Sequence, residues 1–322
     1  MKVFDLHCDT ITECCKKNVS LYDNDMHLSL KRMENYEEYT QVFAVWIRDE
    51  MRGDVARQYF DNVTDYFYKQ IEENNKIVSV YGDESATKLK AILSVEGGSA
   101  CGGTLEGLTH LYNRGVKLIT LTWNSPNEIA SGAFSERGFT SFGKDFVKLA
   151  EEYGIVLDVS HLNRESFYDF IKISDKPFVA SHSNADIVEN PKGRKRNLTD
   201  EQIKLIKERN GIIGLNFCRN FLESDGLFGV DSFVRQLEHF LSLDCENNIA
   251  LGSDYDGCSI HSDFVGAEKL LDLYNTLSEK GYSKQLLDKM FYGNANRFFE
   301  ENGKNGSGCS GNGSCGLRPQ RL

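Results

Sequence analysis

Proline is scarce, with four in 322 residues, and no apolar stretch approaches the roughly 20 residues that span a bilayer. A basic excess is also missing: 37 Lys and Arg against 48 Asp and Glu leave a net charge of −11. That balance argues against sequence-independent nucleic-acid binding and against docking on an anionic membrane. Near the start, Asp5, His7 and Asp9 interrupt the chain before a signal-peptide core can form, so a cytoplasmic setting is expected. The nine cysteines are scattered, odd in number and never spaced C-x-x-C. Free thiols in a reducing compartment are therefore expected, rather than a disulfide framework or a cysteine zinc site.

What the sequence does have is alternation. Eight short apolar or β-branched runs recur at Lys2–Asp5, Gln41–Ile47, Ala91–Val95, Lys117–Thr122, Ile155–Val159, Phe178–Ala180, Ile212–Phe217 and Ile249–Gly252. Several are apolar throughout, as parallel strands covered on both faces require. Between them, Val55–Asn74, Phe142–Tyr153, Arg164–Ile173, Asp200–Asn210 and Asp231–Leu243 repeat apolar residues at spacings of three and four, which predicts helices. Thr199, with Gln202 three residues on, reads as a capping box. Eight strand–helix units predict an α/β fold, a (β/α)8 TIM barrel over residues 1–301, closed by a terminal helix near Lys284–Glu300. An open doubly wound sheet is the alternative. From residue 302 to 322 the chain is too rich in Gly, Ser and Asn to bury a core, so a disordered tail is expected. Its G-x-G-x-x-G match at Gly306–Gly311 has no strand before it and is discounted, and Cys309 and Cys315 lie in the same stretch.

In such a barrel the chemistry gathers at the C-terminal ends of the strands. Run one ends in Asp5-Leu6-His7-Cys8-Asp9, placing His7 and Asp9 on one side of an extended backbone. Run three ends in Glu96-Gly97-Gly98, run five in Ser160-His161, run six in Ser181-His182, and run eight in Ser253-Asp254. Taken singly, each has an ordinary structural reading as a cap, a loop residue or a packed histidine. Three histidines and three carboxylates converging on one rim read instead as a site for a catalytic divalent ion, zinc or a relative of it. A carboxylate flanked by two ligand pairs points to a binuclear centre with ions about 3.5–4 Å apart. His27, His110, His239 and His261 lie away from strand ends and are read as solvent-facing or packed.

Asp-Leu-His-Cys-Asp-Thr, Ser-Val-Glu-Gly-Gly, Asp-Val-Ser-His, Ala-Ser-His-Ser-Asn and Gly-Ser-Asp-Tyr-Asp-Gly, in that order, resemble the membrane dipeptidase family of zinc peptidases in the amidohydrolase superfamily. The resemblance implies two zinc ions per chain, one held by His7, Asp9 and Glu96, the other by Glu96, His161 and His182, with Glu96 bridging. It implies Arg196 for the carboxylate of a small dipeptide, attack by a metal-bridging hydroxide, and Asp254 as proton shuttle. Where mammalian members carry a histidine after the fourth strand, this chain reads Trp123-Asn124, so these two are expected to face substrate instead. A homodimer is the usual family state, and no nucleic-acid or membrane partner is expected. Two other readings remain open: a different amidohydrolase-type reaction at the same ions, on an N-acyl amino acid, a lactone or an amine, and a non-catalytic barrel used for binding.

Overall fold

The computed structural model describes residues 1–303 apart from 84, 86, 224 and 225. The apolar runs form parallel strands β1 (Lys2–Cys8), β2 (Glu38–Trp46), β3 (Val78–Val80), β4 (Leu89–Glu96), β5 (Leu118–Thr120), β6 (Val156–Asp158), β7 (Val179–Ala180), β8 (Ile212–Leu215) and β9 (Ile249–Leu251). Hydrogen bonding runs β2-β1-β9-β8-β7-β6-β5-β4, and β2 pairs with β4 over its whole length, from Tyr39 opposite Leu89 to Trp46 opposite Glu96. That pairing closes the sheet into an eight-stranded barrel and rules out the open sheet. The ninth strand, β3, is one more than the sequence pattern predicts. It pairs with Leu89–Ala91 on the edge of β4 that β5 occupies further along, and so lies outside the ring.

The barrel interior is built from one or two residues per strand, among them Phe4, Leu6, Val42, Ile92, Leu118, Val156, Val179, Ile212 and Ala250, all buried. Phe298 and Phe299, from the C-terminal helix Asn294–Asn302, plug the N-terminal end, with the Phe299 ring tilted against Phe4 at 5.1 Å. Burying each such ring contributes about 2–3 kcal/mol. With that end sealed, the opposite mouth is the one open to chemistry. Interior space is tight there: a Cβ on Gly252 would stand 2.0 Å from the Ser181 carbonyl oxygen, so only glycine lets β9 approach β7.

The surrounding helices follow the predicted amphipathic stretches: Gly53–Glu73, Ser141–Glu152, Arg164–Ile173, Asp200–Glu208 and Gly229–Ser242. Thr199 and Gln202 form the expected capping box. The predicted terminal helix is divided. A π-helical turn at Lys289–Gly293 separates Lys284–Asp288 from Asn294–Asn302, and there Asn294 donates to the Glu246 and Ile249 carbonyls at the foot of β9. No helix among the described residues is long and apolar enough to cross a membrane. The tail bearing Cys309 and Cys315 lies outside the described residues.

Candidate active site

Strand β1 and the residue directly after it carry the first two groups. Three of its residues span the distance that two cover on β2, since Asp5 faces Gln41 and Cys8 faces Phe43. This bulge shifts the alternation, so Cys8 packs in the outer shell while His7 and Asp9 turn to the rim. Asp5, fully buried beneath them, accepts from the Ser253 hydroxyl at 2.5 Å and its N–H at 2.9 Å, tying β1 to β9. Asp254 follows in a left-handed conformation, φ 59°, and His161 after β6 is also left-handed, φ 70°. Such strained positions recur where a structure over-determines a functional side chain. Gly257 makes the approach of Asp9 and Asp254 possible: a Cβ there would lie 2.1 Å from Asp9 Oδ2 and 2.5 Å from Asp254 Oδ1.

Glu96, the last residue of β4, stands at the centre and turns its two oxygens in different directions. Oε1 lies 2.8 Å from His161 Nε2 and 3.4 Å from His182 Nε2, while Oε2 lies 3.7 Å from His7 Nε2. His7 Nε2 is in turn 3.5 Å from Asp9 Oδ2. The His7 and His182 rings stack at 3.8 Å. All five of these side chains are buried.

The tautomers follow from the neighbours. The Ser181 hydroxyl gives its single proton to Asp158 Oδ2 at 2.6 Å, so at 2.7 Å from His182 Nδ1 it accepts that ring's hydrogen. Thr120 and the Ser160 and Ser181 N–H groups also donate to Asp158. Asn124 Oδ1 accepts from His161 Nδ1 at 3.0 Å. Both rings therefore present bare Nε2 lone pairs, 2.9 Å apart, to each other and to Glu96 Oε1. Three acceptors converging in this way need a proton or a cation between them, and a cation serves all three at once. A tetrahedral ion with legs of about 2.0–2.1 Å holds its ligand atoms roughly 3.3 Å apart, in the range found here. Both nitrogens of His7 and Oδ1 of Asp9 are buried without a hydrogen-bond partner among the described residues. Imidazoles, carboxylates, orphaned acceptors and fixed tautomers fit a divalent metal.

The electrostatics agree. Burial pulls the His7 ring down, yet the Glu96 and Asp9 charges outweigh it and lift it to about 10. Burial holds Glu96 well above the usual carboxylate range, with Asp9 adding to the effect. His161 and His182 are pushed well below theirs by burial, with Arg196 and His7 contributing. Metal-free, the pocket retains protons that a cation replaces. Burial lifts Asp254 to about 6 while His7 pulls it back. Its Oδ2 accepts from Asn216 Nδ2 at 3.0 Å.

Arg196, last residue of the short helix Pro191–Arg196, is buried at the rim. It donates to Ser183 Oγ and to the His182 carbonyl, both at 3.1 Å, and its Nε has no partner among the described residues. Trp123 packs edge-on against Trp46 at 5.0 Å and lies 6.4 Å from His161. Asn124, expected on the substrate side, accepts from His161 Nδ1 through its Oδ1. Asn216, Asp158, Ser181 and Trp46 were not singled out in the sequence. The available signal was position, for each lies at or just beyond the C-terminal end of an apolar run. The four remaining histidines pair with aspartates away from the cluster: His110 with Asp61, His239 with Asp200, His261 with Asp263, and His27 with Asp256.

A closed parallel barrel with histidines and carboxylates at this rim is the architecture of a (β/α)8 metallopeptidase. The chain belongs to the membrane dipeptidase family (Peptidase family M19), whose profile matches residues 1–308. A Klebsiella pneumoniae protein named for its place in the pqqA 5′ region is 32% identical over 218 residues, 64% of this chain and 79% of that protein. The crystal structure of a metallo peptidase of family M19, dipeptidase AC, superposes with a TM-score of 0.86 at 26% identity, covering 94% of this chain and 98% of that one. A Rhodobacter sphaeroides metallo peptidase, solved with a phosphinate mimic of the dipeptide L-Ala-D-Ala, gives 0.86 at 24% identity, over 94% and 99%. The protein is thus a metal-dependent hydrolase of peptide bonds.

Proposed function

We propose that the chain is a dizinc dipeptidase in which His7, Asp9 and Glu96 hold one ion and Glu96, His161 and His182 the other. The observation that carries this reading is the division of Glu96, one oxygen toward His161 and His182 and the other toward His7. Paired zinc ions supply a water of lowered pKa and Lewis acidity toward the scissile carbonyl.

The remaining steps fall to the chain's own groups. Asp254, oriented by Asn216, accepts the attacking water's proton and delivers it to the leaving amine. A carboxyl lifted by burial suits both halves of that exchange. Arg196 offers its unpartnered Nε and remaining guanidinium hydrogens to the C-terminal carboxylate of the dipeptide, a planar anion that matches a planar fork. Trp123 and Trp46 form an aromatic wall beside His161 against which a substrate side chain packs.

The test is hydrolysis of a dipeptide library, L,L and L,D, with and without chelator, alongside N-acyl amino acids and lactones. Chelator-sensitive cleavage of dipeptides supports the reading. Turnover confined to N-acyl amino acids or lactones would transfer the same site to another amidohydrolase reaction.

A further inference from the structure

Two thiols stand beside Asp254, and the proposed reaction uses neither. Cys218 follows β8 and is buried, while Cys258 follows β9 and is half-buried. The loops carrying them are joined: Arg219 N donates to the Ser259 carbonyl at 3.0 Å, and Cys218 bridges antiparallel to Ile260. Cys258 Sγ donates to the Asp254 carbonyl at 3.6 Å, and Cys218 N donates to Oδ1 of Asn216, the residue that holds the Asp254 carboxylate. One sulfur from each cysteine and one carboxylate oxygen of Asp254 all lie within 4.8 Å of one another.

We propose that Cys218, Cys258 and Asp254 form a second metal site, selective for a thiophilic divalent cation such as Cd2+ or surplus Zn2+, whose occupation withdraws Asp254 from proton transfer. A tetrahedral ion with Zn–S legs of about 2.3 Å spaces its sulfurs roughly 3.7 Å apart, so these three atoms need only close by a fraction of an ångström to a little over one. Soft sulfur ligands distinguish this site from the imidazole and carboxylate cluster a few residues away. A Cys218–Cys258 disulfide would use the two sulfurs alone and leave the Asp254 carboxylate out, whereas an ion takes all three groups. Cys258 starts protonated, held well above the ordinary thiol range by its hydrogen bond to Cys218, by burial and by the Asp254 charge. On binding, each S–H gives up its proton to solvent and forms one S–metal bond, so two protons leave as one dication enters.

The metal site stands on geometry alone, and its effect on turnover rests on the dipeptidase reading. The experiment titrates the zinc-loaded enzyme with Cd2+, following thiolate-to-cadmium absorption in the ultraviolet together with dipeptide hydrolysis. Expected are one further equivalent of bound Cd2+ with a thiolate band and a fall in kcat of roughly a hundredfold, the scale of a lost general acid–base. C218S and C258S should hydrolyse like the wild type before cadmium and show neither band nor inhibition. C245S, at a buried cysteine elsewhere, should behave as wild type throughout. The proposal is overturned by absence of the band, by a band that survives in both C218S and C258S, or by a band with undiminished turnover. If the enzyme cleaves no dipeptide at all but the band appears and is lost in the two variants, the dipeptidase reading fails and the thiol site stands.

Discussion

His161 and His182 point their Nε2 atoms at one another across 2.9 Å while the Nδ1 hydrogen of each is already committed, to Asn124 and to Ser181. Opposed lone pairs of this kind need a proton or a cation between them, and a divalent cation serves both rings and Glu96 at once. Chelation should therefore abolish hydrolysis and lower the melting temperature, and zinc should restore both. Ser181→Ala removes the acceptor that fixes the His182 tautomer without touching the ligand atom itself. Metal affinity should drop about 10- to 100-fold, measured by competition with a chromophoric chelator. Unchanged affinity would mean that the Asp158–Ser181 relay does not orient the ring.

The same cluster predicts a pH dependence for the metal-free protein. His7 has a folded-state pKa of about 10, above its ordinary value of 6.5. A group raised in this way contributes stability that is fully present below the unfolded value and is lost as pH rises through the folded one. Between pH 7 and 9 the chelated protein should lose stability, by at most about 1.4 kcal/mol per pH unit from this single group. In the zinc-loaded protein the cation replaces the proton, and the slope should flatten. Thermal melts of both forms across that range check the difference, and equal slopes would contradict it.

Much of this arrangement was legible in the sequence because parallel strands buried on both faces are written as nearly unbroken apolar runs. The eight runs became the eight barrel strands, and the polar residues ending runs one, three, five, six and eight are the ones that meet. β3 was not legible: Val78–Val80 is three residues long and pairs only at the base of β4. The supporting groups were hidden for a different reason. Asp158, Ser181 and Asn216 are common polar residues whose importance comes from a partner 23 to 38 positions away, a relation that the barrel creates and that no local pattern carries. Asn124 belongs with them in one respect: its amide oxygen accepts from His161, 37 positions away, a contact that the loop after β5 creates.

Asp254→Asn tests the proton shuttle. The amide keeps the shape and can still contact Asn216 but cannot take a proton. A fall in kcat of about 10²- to 10⁴-fold is expected, with zinc content by elemental analysis unchanged. Asn216→Ala leaves the carboxylate in place but frees it, so a smaller fall in kcat is expected, with KM nearly constant. If Asp254→Asn lost its zinc together with its activity, Asp254 would be a ligand rather than a shuttle.

Arg196 is tested by changing the substrate as well as the residue. Its guanidinium is buried and two of its nitrogens are held by Ser183 and the His182 carbonyl, so it is already aimed before substrate arrives. A hydrogen bond to a charged partner is worth about 1.5–3 kcal/mol, or roughly 10- to 150-fold in kcat/KM. Arg196→Ala should lose that factor on a dipeptide with a free C-terminal carboxylate and almost none on the corresponding C-terminal amide, which the wild type should itself cleave poorly. Arg196→Lys keeps the charge but not the fork, and should fall between the two. It also guards against a folding defect in the alanine variant, because a destabilised site would slow both substrates alike. Equal losses on acid and amide would therefore remove Arg196 from substrate recognition and leave it as a brace for the loop after β7.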